Sequence, residues 1–559
     1  MDIEGRIIVA ISAALKKLDI DGVEPSLEHP SELSHGDYAT NVALVAAKKV
    51  ARPPAGGPKE LAQKIATGLG EIEGILKIEI AGPGFINFHL SREFFSESVG
   101  AINKAAEQWG RNTSLTKEKI GIEYYQPNFF KALHVGHLVN VMVGESLARL
   151  LEFSGAKVYR IAYYADIGPH IAKAIWGLKA LGIDPQTPED LGKAYEYGSS
   201  HYKENPEEKD AIDEINRKVY EGEDTEVQAL FKKGTEISKK QITALLVRLG
   251  ISFDKTFLET EGGAVGAKLV EKHLGDIFEK SEGAIVFKGE KYGLHTRVFL
   301  TSKGLPVYET KDLGLAKLKL DAFDADRLLY IVDVEQTGYF TVTLKVIELV
   351  FPQLKGKVKH IAHGRLRLPG GRMSSREGNI ISAKEILDEL HEAVLPRAGD
   401  EKIAEEVGQA AMHYLVLRQS LGSNIIFDKN QALSFEGASG PYLQYAYTRA
   451  MSVLRKAAEE KIPALFGKVL RVPKEVSELE RLLYRFPEVV LRAEKEYEPH
   501  YVTTFLTELA GAFNSWYARG KIVDAADETS PYKVALTAAF ALTMKNGLWL
   551  LGIQAPERM

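Results

Sequence analysis

Apolar residues recur at helical spacing in 7–18 and 60–71, whereas 76–80 and 85–90 alternate apolar and polar positions as half-buried strands do. Residues 1–115 therefore read as a compact α+β domain, with the Pro- and Gly-rich run from Ala51 to Pro58 as a loop between elements. From 116 to 400 the rhythm changes. An apolar run at 119–125, a long amphipathic stretch at 138–153 and a second apolar run at 157–164 predict a βαβ unit with a right-handed crossover, the building block of a doubly wound α/β domain. Composition turns polar and charged near 183, most strongly up to about 235 and including Glu204-Asn-Pro-Glu-Glu-Lys-Asp210, so a solvated helical insertion is expected within about 183–290. Strand-like runs return at 284–287, 297–300, 328–334 and 358–367, and a helix is expected from Ser382. Residues 401–559 carry helical spacing at 410–418, 442–457, 505–517 and 534–551 and read as an all-α bundle. The expected fold class is multidomain: a doubly wound α/β domain over 116–400, an α+β domain before it and a helical bundle after it.

Composition narrows the function classes. A chain of 559 residues exceeds what one core accommodates, so roughly three or four domains are expected. Hydrophobic content of 45% with 26% charged residues is ordinary for a globular protein. No 18-residue apolar stretch occurs, and Met1-Asp-Ile-Glu lacks the basic start of a signal peptide, so a cytoplasmic protein away from membranes is expected. The absence of cysteine removes disulfides, thiolate metal sites and cysteine nucleophiles. A net charge of −5 argues against indiscriminate binding of nucleic acid but leaves room for local basic patches. In 401–559, 19 Lys plus Arg balance 19 Asp plus Glu, so bulk charge does not mark this segment as an RNA binder.

The chemistry concentrates in two runs. Pro127-Asn-Phe-Phe-Lys-Ala-Leu-His-Val-Gly-His137 follows the first strand and opens the long helix, the place where free amides and the helix dipole favour a phosphate. His134 and His137, three apart, share one face of the first turn as donors to triphosphate oxygens, and Gly136 removes the side chain that would block a flat base. Two bland alternatives stand beside this: half of a metal site, which would need further ligands, or histidines that merely cap a helix. The second run, Gly371-Arg-Met-Ser-Ser-Arg-Glu-Gly-Asn379, is a glycine-flanked loop whose hydroxyls and guanidinium suit charge moving to a leaving pyrophosphate. Alone it would pass for a surface loop.

Together the runs resemble the HIGH and KMSKS signatures of class I aminoacyl-tRNA synthetases. Further runs resemble the arginyl-tRNA synthetase family: Pro127 to Leu138, Gly144 to Gly155, Asp166-Ile-Gly168, Tyr308-Glu-Thr-Lys-Asp312, Gln336, Pro441 to Ala446 and Ala555 to Met559. The resemblance covers essentially the whole chain. It implies a Rossmann-type catalytic domain, an N-terminal domain touching the tRNA elbow and a helical anticodon-binding domain. Substrates would be ATP with Mg2+, L-arginine and tRNA(Arg), with no zinc or organic cofactor; the sequence leaves the oligomeric state open, a monomer being favoured. It implies ATP binding by Asn128, His134, Gly136, His137, Met373, Ser374 and Ser375. Tyr308 and Asp312 would face the arginine side chain, with Glu123, Asn128 and Gln336 around the amino acid. A guanidinium with five fixed donors and a permanent charge suits such carboxylates and acceptors. Asn87 matches a position that contacts the tRNA D-loop, although a polar residue on a sheet's solvent face would read the same way. Arg449, Arg455 and Lys456 on one helix are candidate contacts in the anticodon-binding segment.

Departures from the family pattern mark where roles shift. Ile167 and His170 replace the usual Trp and Gln, Arg372 replaces the first Lys of the second motif, and Ser375 stands where its second Lys is expected. A substitute cation is therefore needed near the phosphates. Lys131, three residues before His134, is the candidate that the resemblance suggests, and Arg376 competes. The expected catalytic set is Lys131, His134, His137, Ser374 and Arg376. Two rival functions remain: a nucleotidyltransferase making a small-molecule adenylate, and a non-catalytic tRNA-binding paralogue.

Overall fold

Seven residues, Lys119–Tyr125, form the strand around which the larger of two compact units is built, and six of them are buried, as a strand covered on both faces requires. The computed structural model describes residues 3–49, 56–367, 382–466 and 471–559. One compact unit comprises 110–448, 487–508 and 545–559, and the other comprises 1–109, 449–486 and 509–544. The helical segment after 401 thus contributes to both units. Most of the loop read at 51–58 lies outside the described residues.

The larger unit runs β1 (Lys119–Tyr125), α1 (Val135–Phe153), β2 (Lys157–Tyr164), α2 (Pro169–Leu181), β3 (Lys255–Leu258), α3 (Glu259–Lys272), α4 (Tyr308–Phe323), β4 (Arg327–Asp333), α5 (Thr337–Val350), β5 (Val358–His363), α6 (Ala383–Ala398) and α7 (Glu401–Leu417). All five strands are parallel in the order β5-β4-β1-β2-β3, so the order reverses between β1 and β4. In such a doubly wound sheet the carboxyl ends of those two strands border the ligand crevice. Register places Tyr330 of β4 opposite Glu123 of β1.

α1 is buried nearly all round, which explains its weak amphipathicity and its place against the sheet. Its approach to β1 depends on Gly144, since a Cβ there would lie 2.1 Å from both Cβ and Cγ of Tyr124. Three helices, Pro188–Glu204, Pro206–Glu221 and Thr225–Leu249, form the insertion. The range of about 183–290 expected for it is too long: the chain rejoins the parallel sheet at β3, whose residues pair with Ile161–Tyr164. A three-stranded antiparallel sheet, Glu279–Ser281, Ala284–Phe287 and Arg297–Leu300, follows α3. The chain end closes this unit from behind α1, where Ser146 Oγ donates to the Leu550 carbonyl at 2.8 Å and Arg149 to the Trp549 carbonyl at 2.8 Å.

In the other unit, Phe85–Leu90 is the central strand of an antiparallel sheet between Tyr38–Thr40 and Ile75–Ala81. Ile7, Ile11, Leu61 and Ile65, from helices Ile3–Lys17 and Gly57–Leu69, share one core with Ile86, Phe88 and Tyr484. Its helical part has a second core of Val453, Ala457, Ile522, Val523 and Val534.

Candidate active site

β1 ends at the strand-order reversal, and the turn leaving it is strained into place. Phe130 sits at φ 60°, a left-handed conformation costing a residue with a side chain about 1–2 kcal/mol. Its amide donates to Ser238 Oγ at 2.9 Å and its ring stacks on Phe231 at 6.3 Å, both on the insertion helix Thr225–Leu249. The insertion thereby aims the residues that follow. Asn128 pairs by backbone with Ala165 beyond β2, bringing the two loops together.

His134 is the N-cap of α1, and its Nδ1 accepts the Gly136 amide at 3.1 Å. His137 Nδ1 accepts the His134 amide at 3.1 Å, closing a reciprocal cap made of two imidazoles. A Cβ on Gly136 would lie 2.9 Å from the His134 ring, so glycine lets that ring fold back. Burial, with Lys131 adding repulsion, pushes His134 down to about 4. Burial, then His134 and Lys131, holds His137 well below the ordinary histidine value. Both rings are therefore neutral near pH 7. With each Nδ1 accepting, the ring proton must sit on Nε2, which leaves each imidazole one N–H for a ligand. The capping alternative and the phosphate-donor reading thus use different nitrogens of the same rings.

Lys131 Nζ stands over the Tyr195 ring at 4.5 Å. Burial works to raise the Tyr195 hydroxyl, yet Lys131 holds it below the usual tyrosine value. His170, at the start of α2, is buried and pushed down to about 3, its Nε2 3.3 Å from the Ala165 carbonyl. Ile167 is also buried. Arg372, Met373, Ser374, Ser375 and Arg376 lie outside the described residues. The chain resumes at Ser382, which bridges to His134, while the Ala383 amide donates to the Leu133 carbonyl at 2.9 Å.

On the other side of the crevice, Glu123 and Lys319 form a buried ion pair at 2.5 Å. Gln126 donates to Glu123 Oε1 at 3.2 Å, and Asn140 donates to Gln126 at 3.0 Å. Asp312, on the same helix as Lys319, accepts from the Tyr339 hydroxyl at 2.6 Å. Burial and the neighbouring charge of Glu123 push Asp312 up to about 7. Burial disfavours the Lys319 charge, but Glu123, together with Tyr330 and Asp312, more than offsets this and holds the ammonium above the ordinary lysine range. A second buried pair, Lys311 with Glu259 at 2.8 Å, lies beside it. Tyr308 heads α4 and is 60% exposed, and Gln336 is exposed in the turn after β4.

The larger unit therefore gathers Glu123, Asn128, Lys131, His134, Gly136, His137, Tyr308, Asp312 and Gln336, while Asn87, Arg449, Arg455 and Lys456 belong to the other unit. Asn87 is only 4% exposed, which removes the reading of a residue on a sheet's solvent face: the central strand Phe85–Leu90 is covered there. Arg449 bonds to Asn514 and lies over Tyr517 at 5.1 Å, Arg455 donates to Ser452 Oγ at 2.8 Å, and exposed Lys456 is 3.6 Å from Glu460. Among the described residues no cluster of His, Asp and Glu is placed to hold a metal ion. Sequence reasoning passed over Lys319 and Tyr339. The signal available for Lys319 was its position two helical turns from Asp312, on the same face.

A family model for the catalytic domain of class I tRNA synthetases of the arginine type matches residues 100–428. With the doubly wound sheet and the paired histidines at its helix entrance, this defines a class I aminoacyl-tRNA synthetase. Models for the arginyl tRNA synthetase N terminal domain and the DALR anticodon binding domain match 5–90 and 443–559. The chain is 32% identical to the arginine–tRNA ligase of Treponema pallidum, covering 98% of each, and 30% identical to that of Pediococcus pentosaceus, covering all of both. Its fold superposes on Thermus thermophilus arginyl-tRNA synthetase with a TM-score of 0.80 at 24% identity, covering 100% of both chains. The Plasmodium falciparum enzyme gives a TM-score of 0.81 at 19% identity, covering 100% of this chain and 99% of that one. The chain belongs to the arginyl-tRNA synthetase family, whose activity is ATP-dependent ligation of arginine to tRNA.

Proposed function

We propose that the crevice at the strand-order reversal seats ATP, as its Mg2+ complex, along the entrance of α1, and arginine against Asp312 and Glu123. The carrying observation is that two neutral imidazoles, each with Nε2–H free of the helix cap, enter α1 directly after β1, the strand at the order reversal that also carries Glu123 of the buried carboxylate pair Glu123 and Asp312. The arginine carboxylate attacks the α-phosphorus in line, forming a phosphorus–oxygen bond as the bond to pyrophosphate breaks. The 2′-hydroxyl of the terminal tRNA adenosine then attacks the activated carbonyl and AMP leaves. Catalysis here is positioning and charge stabilisation. His134 and His137 donate to phosphate oxygens. Lys131 supplies the cation that Ser375 cannot, with Ser374 and Arg376 closing from the second motif and Met373 and Ser375 lining the nucleotide. Asn128, Gly136, Tyr308 and Gln336 complete the substrate contacts. Residues 1–115 serve the tRNA elbow. In the helical segment, Arg449, Arg455 and Lys456 serve the anticodon arm, with exposed Lys456 the best placed of the three. The protein works in the cytoplasm. The test is pyrophosphate exchange. It should require L-arginine and remain weak until tRNA(Arg) is added, and full exchange with another amino acid, or none, rejects the assignment.

A further inference from the structure

Lys319 is 1% exposed and sits in the arginine crevice without a part in either chemical step. It lies seven residues after Asp312 and eleven after Tyr308, so all three side chains leave nearly the same face of α4. Its ammonium pairs with Glu123 of β1 at 2.5 Å and stands over the Tyr330 ring of β4 at 4.2 Å. Around Asp312 the described groups are Glu123 from β1, Tyr163 from β2, Glu259 from α3, Lys319 from its own helix, Tyr330 from β4 and Tyr339 from α5. Glu259 is matched by Lys311 and Glu123 by Lys319. Among the described residues, Asp312 has a hydroxyl donor, Tyr339, and no ion-pairing cation.

We propose that Lys319 is a positioning residue that fixes the charge of the arginine pocket. It holds Glu123 as a neutral pair and leaves Asp312 as the one carboxylate for the guanidinium. This rests on the assignment of Asp312 and Glu123 to the arginine pocket. With Lys319 present, bound arginine brings the group of Glu123, Lys319, Asp312 and guanidinium to net zero. Without it a buried negative charge remains beside Asp312, which then keeps its proton to higher pH. A proton on Asp312 competes with the substrate, because a carboxylic acid gives the guanidinium one acceptor oxygen and no charge.

The experiment is calorimetric titration of L-arginine into the full-length protein from pH 5.5 to 8.5, without ATP, so that nucleotide titration does not intrude. Wild type should bind more weakly as pH falls below about 7, approaching about tenfold per pH unit, as competition by one proton requires. In Lys319→Gln this limb should move up by at least one pH unit while ATP affinity changes less than twofold. Lys319→Arg should keep the wild-type limb. In the Glu123→Gln, Lys319→Gln double variant both charges of the pair are gone, so the limb should stay at or below the wild-type position and not follow Lys319→Gln upward. The double variant also decides the matter if Lys319→Gln does not fold, since it strands neither member of the Glu123–Lys319 pair. A folded Lys319→Gln with an unmoved limb overturns the proposal, as does a double variant whose limb moves up as it should in Lys319→Gln. Failure of the wild type to bind arginine at any pH refutes the pocket assignment itself.

Discussion

Each of the paired histidines, His134 and His137, commits Nδ1 to the backbone at the start of its own helix and keeps Nε2–H for a ligand, so stability and the proposed chemistry can be separated at a single residue. Asn is among the best N-cap residues, whereas replacing a good cap by Ala typically costs about 1 kcal/mol. His134→Asn should therefore unfold within about 0.5 kcal/mol of wild type, yet lose at least roughly a hundredfold in adenylate formation, the usual loss for one transition-state donor. Denaturant melts and single-turnover adenylate formation read the two effects, and equal loss in both would reduce His134 to a cap. Lys131 carries the sharper prediction. It lies at the α1 entrance, close enough to repel protons from His134, His137 and His170. Lys131→Ala should slow adenylate formation at least roughly a hundredfold and weaken ATP binding only modestly, as expected for an interaction made chiefly in the transition state. Arg376→Ala should cost less in that step. Near-normal turnover in Lys131→Ala with collapse in Arg376→Ala would move the role to the second motif.

At the scale of elements, legibility followed burial. The strands Lys119–Tyr125, Lys157–Tyr164, Phe85–Leu90, Ala284–Phe287 and Arg297–Leu300 were readable to the residue, because sustained apolar or alternating runs are what such strands need. β3 was not readable. It is four residues long, pairs in this sheet only with β2, and is mostly not buried, so it leaves no periodic trace in a polar stretch. Lys319 shares a helix face with Asp312, a local signal, but its pairing was hidden: Glu123 is distant in the chain, and no local pattern reports a contact that the fold makes. The two motifs were legible as chemistry, but the double use of each imidazole required coordinates. Gly144 is the element-scale test, since it alone lets α1 lie against Tyr124. Gly144→Ala gains helix propensity of up to about 1 kcal/mol but overpacks a core that typically charges about 1–3 kcal/mol for an inserted methyl. The clash is with the buried stem of Tyr124, Cβ and Cγ both at 2.1 Å, so destabilisation should win by about 1–2 kcal/mol in denaturant melts. A more stable variant would mean that α1 can slide along β1.

At the scale of the molecule, order along the chain and compactness in space diverge, and this decides which truncations survive. Read along the sequence, residues 1–115 and 401–559 both look removable from the α/β domain. The larger compact unit instead takes in 401–448, 487–508 and 545–559. α7 buries Val407, Met412, Leu415, Val416 and Leu417, each 2% exposed or less. At about 1.5–3 kcal/mol for each buried side chain, these five contribute about 8–15 kcal/mol, comparable to the whole net stability of a domain at about 5–15 kcal/mol. The chain end adds Leu550, Leu551 and Ile553 to the same unit, and its backbone accepts from Ser146 and Arg149 on the very helix that His134 caps. A chain ending at residue 400 should therefore lose cooperative unfolding and ATP binding together, with exposed apolar surface and aggregation as the visible result. A chain beginning at Gly110 keeps every segment of the larger unit and should retain ATP and arginine binding, while its tRNA affinity falls by the share that the elbow contacts supply. Calorimetric titration of ATP into both chains, with thermal melts alongside, separates the outcomes. A soluble, cooperatively folded chain of residues 1–400 that binds ATP would show that α7 and the chain end are accessories to the nucleotide site, and not part of its core.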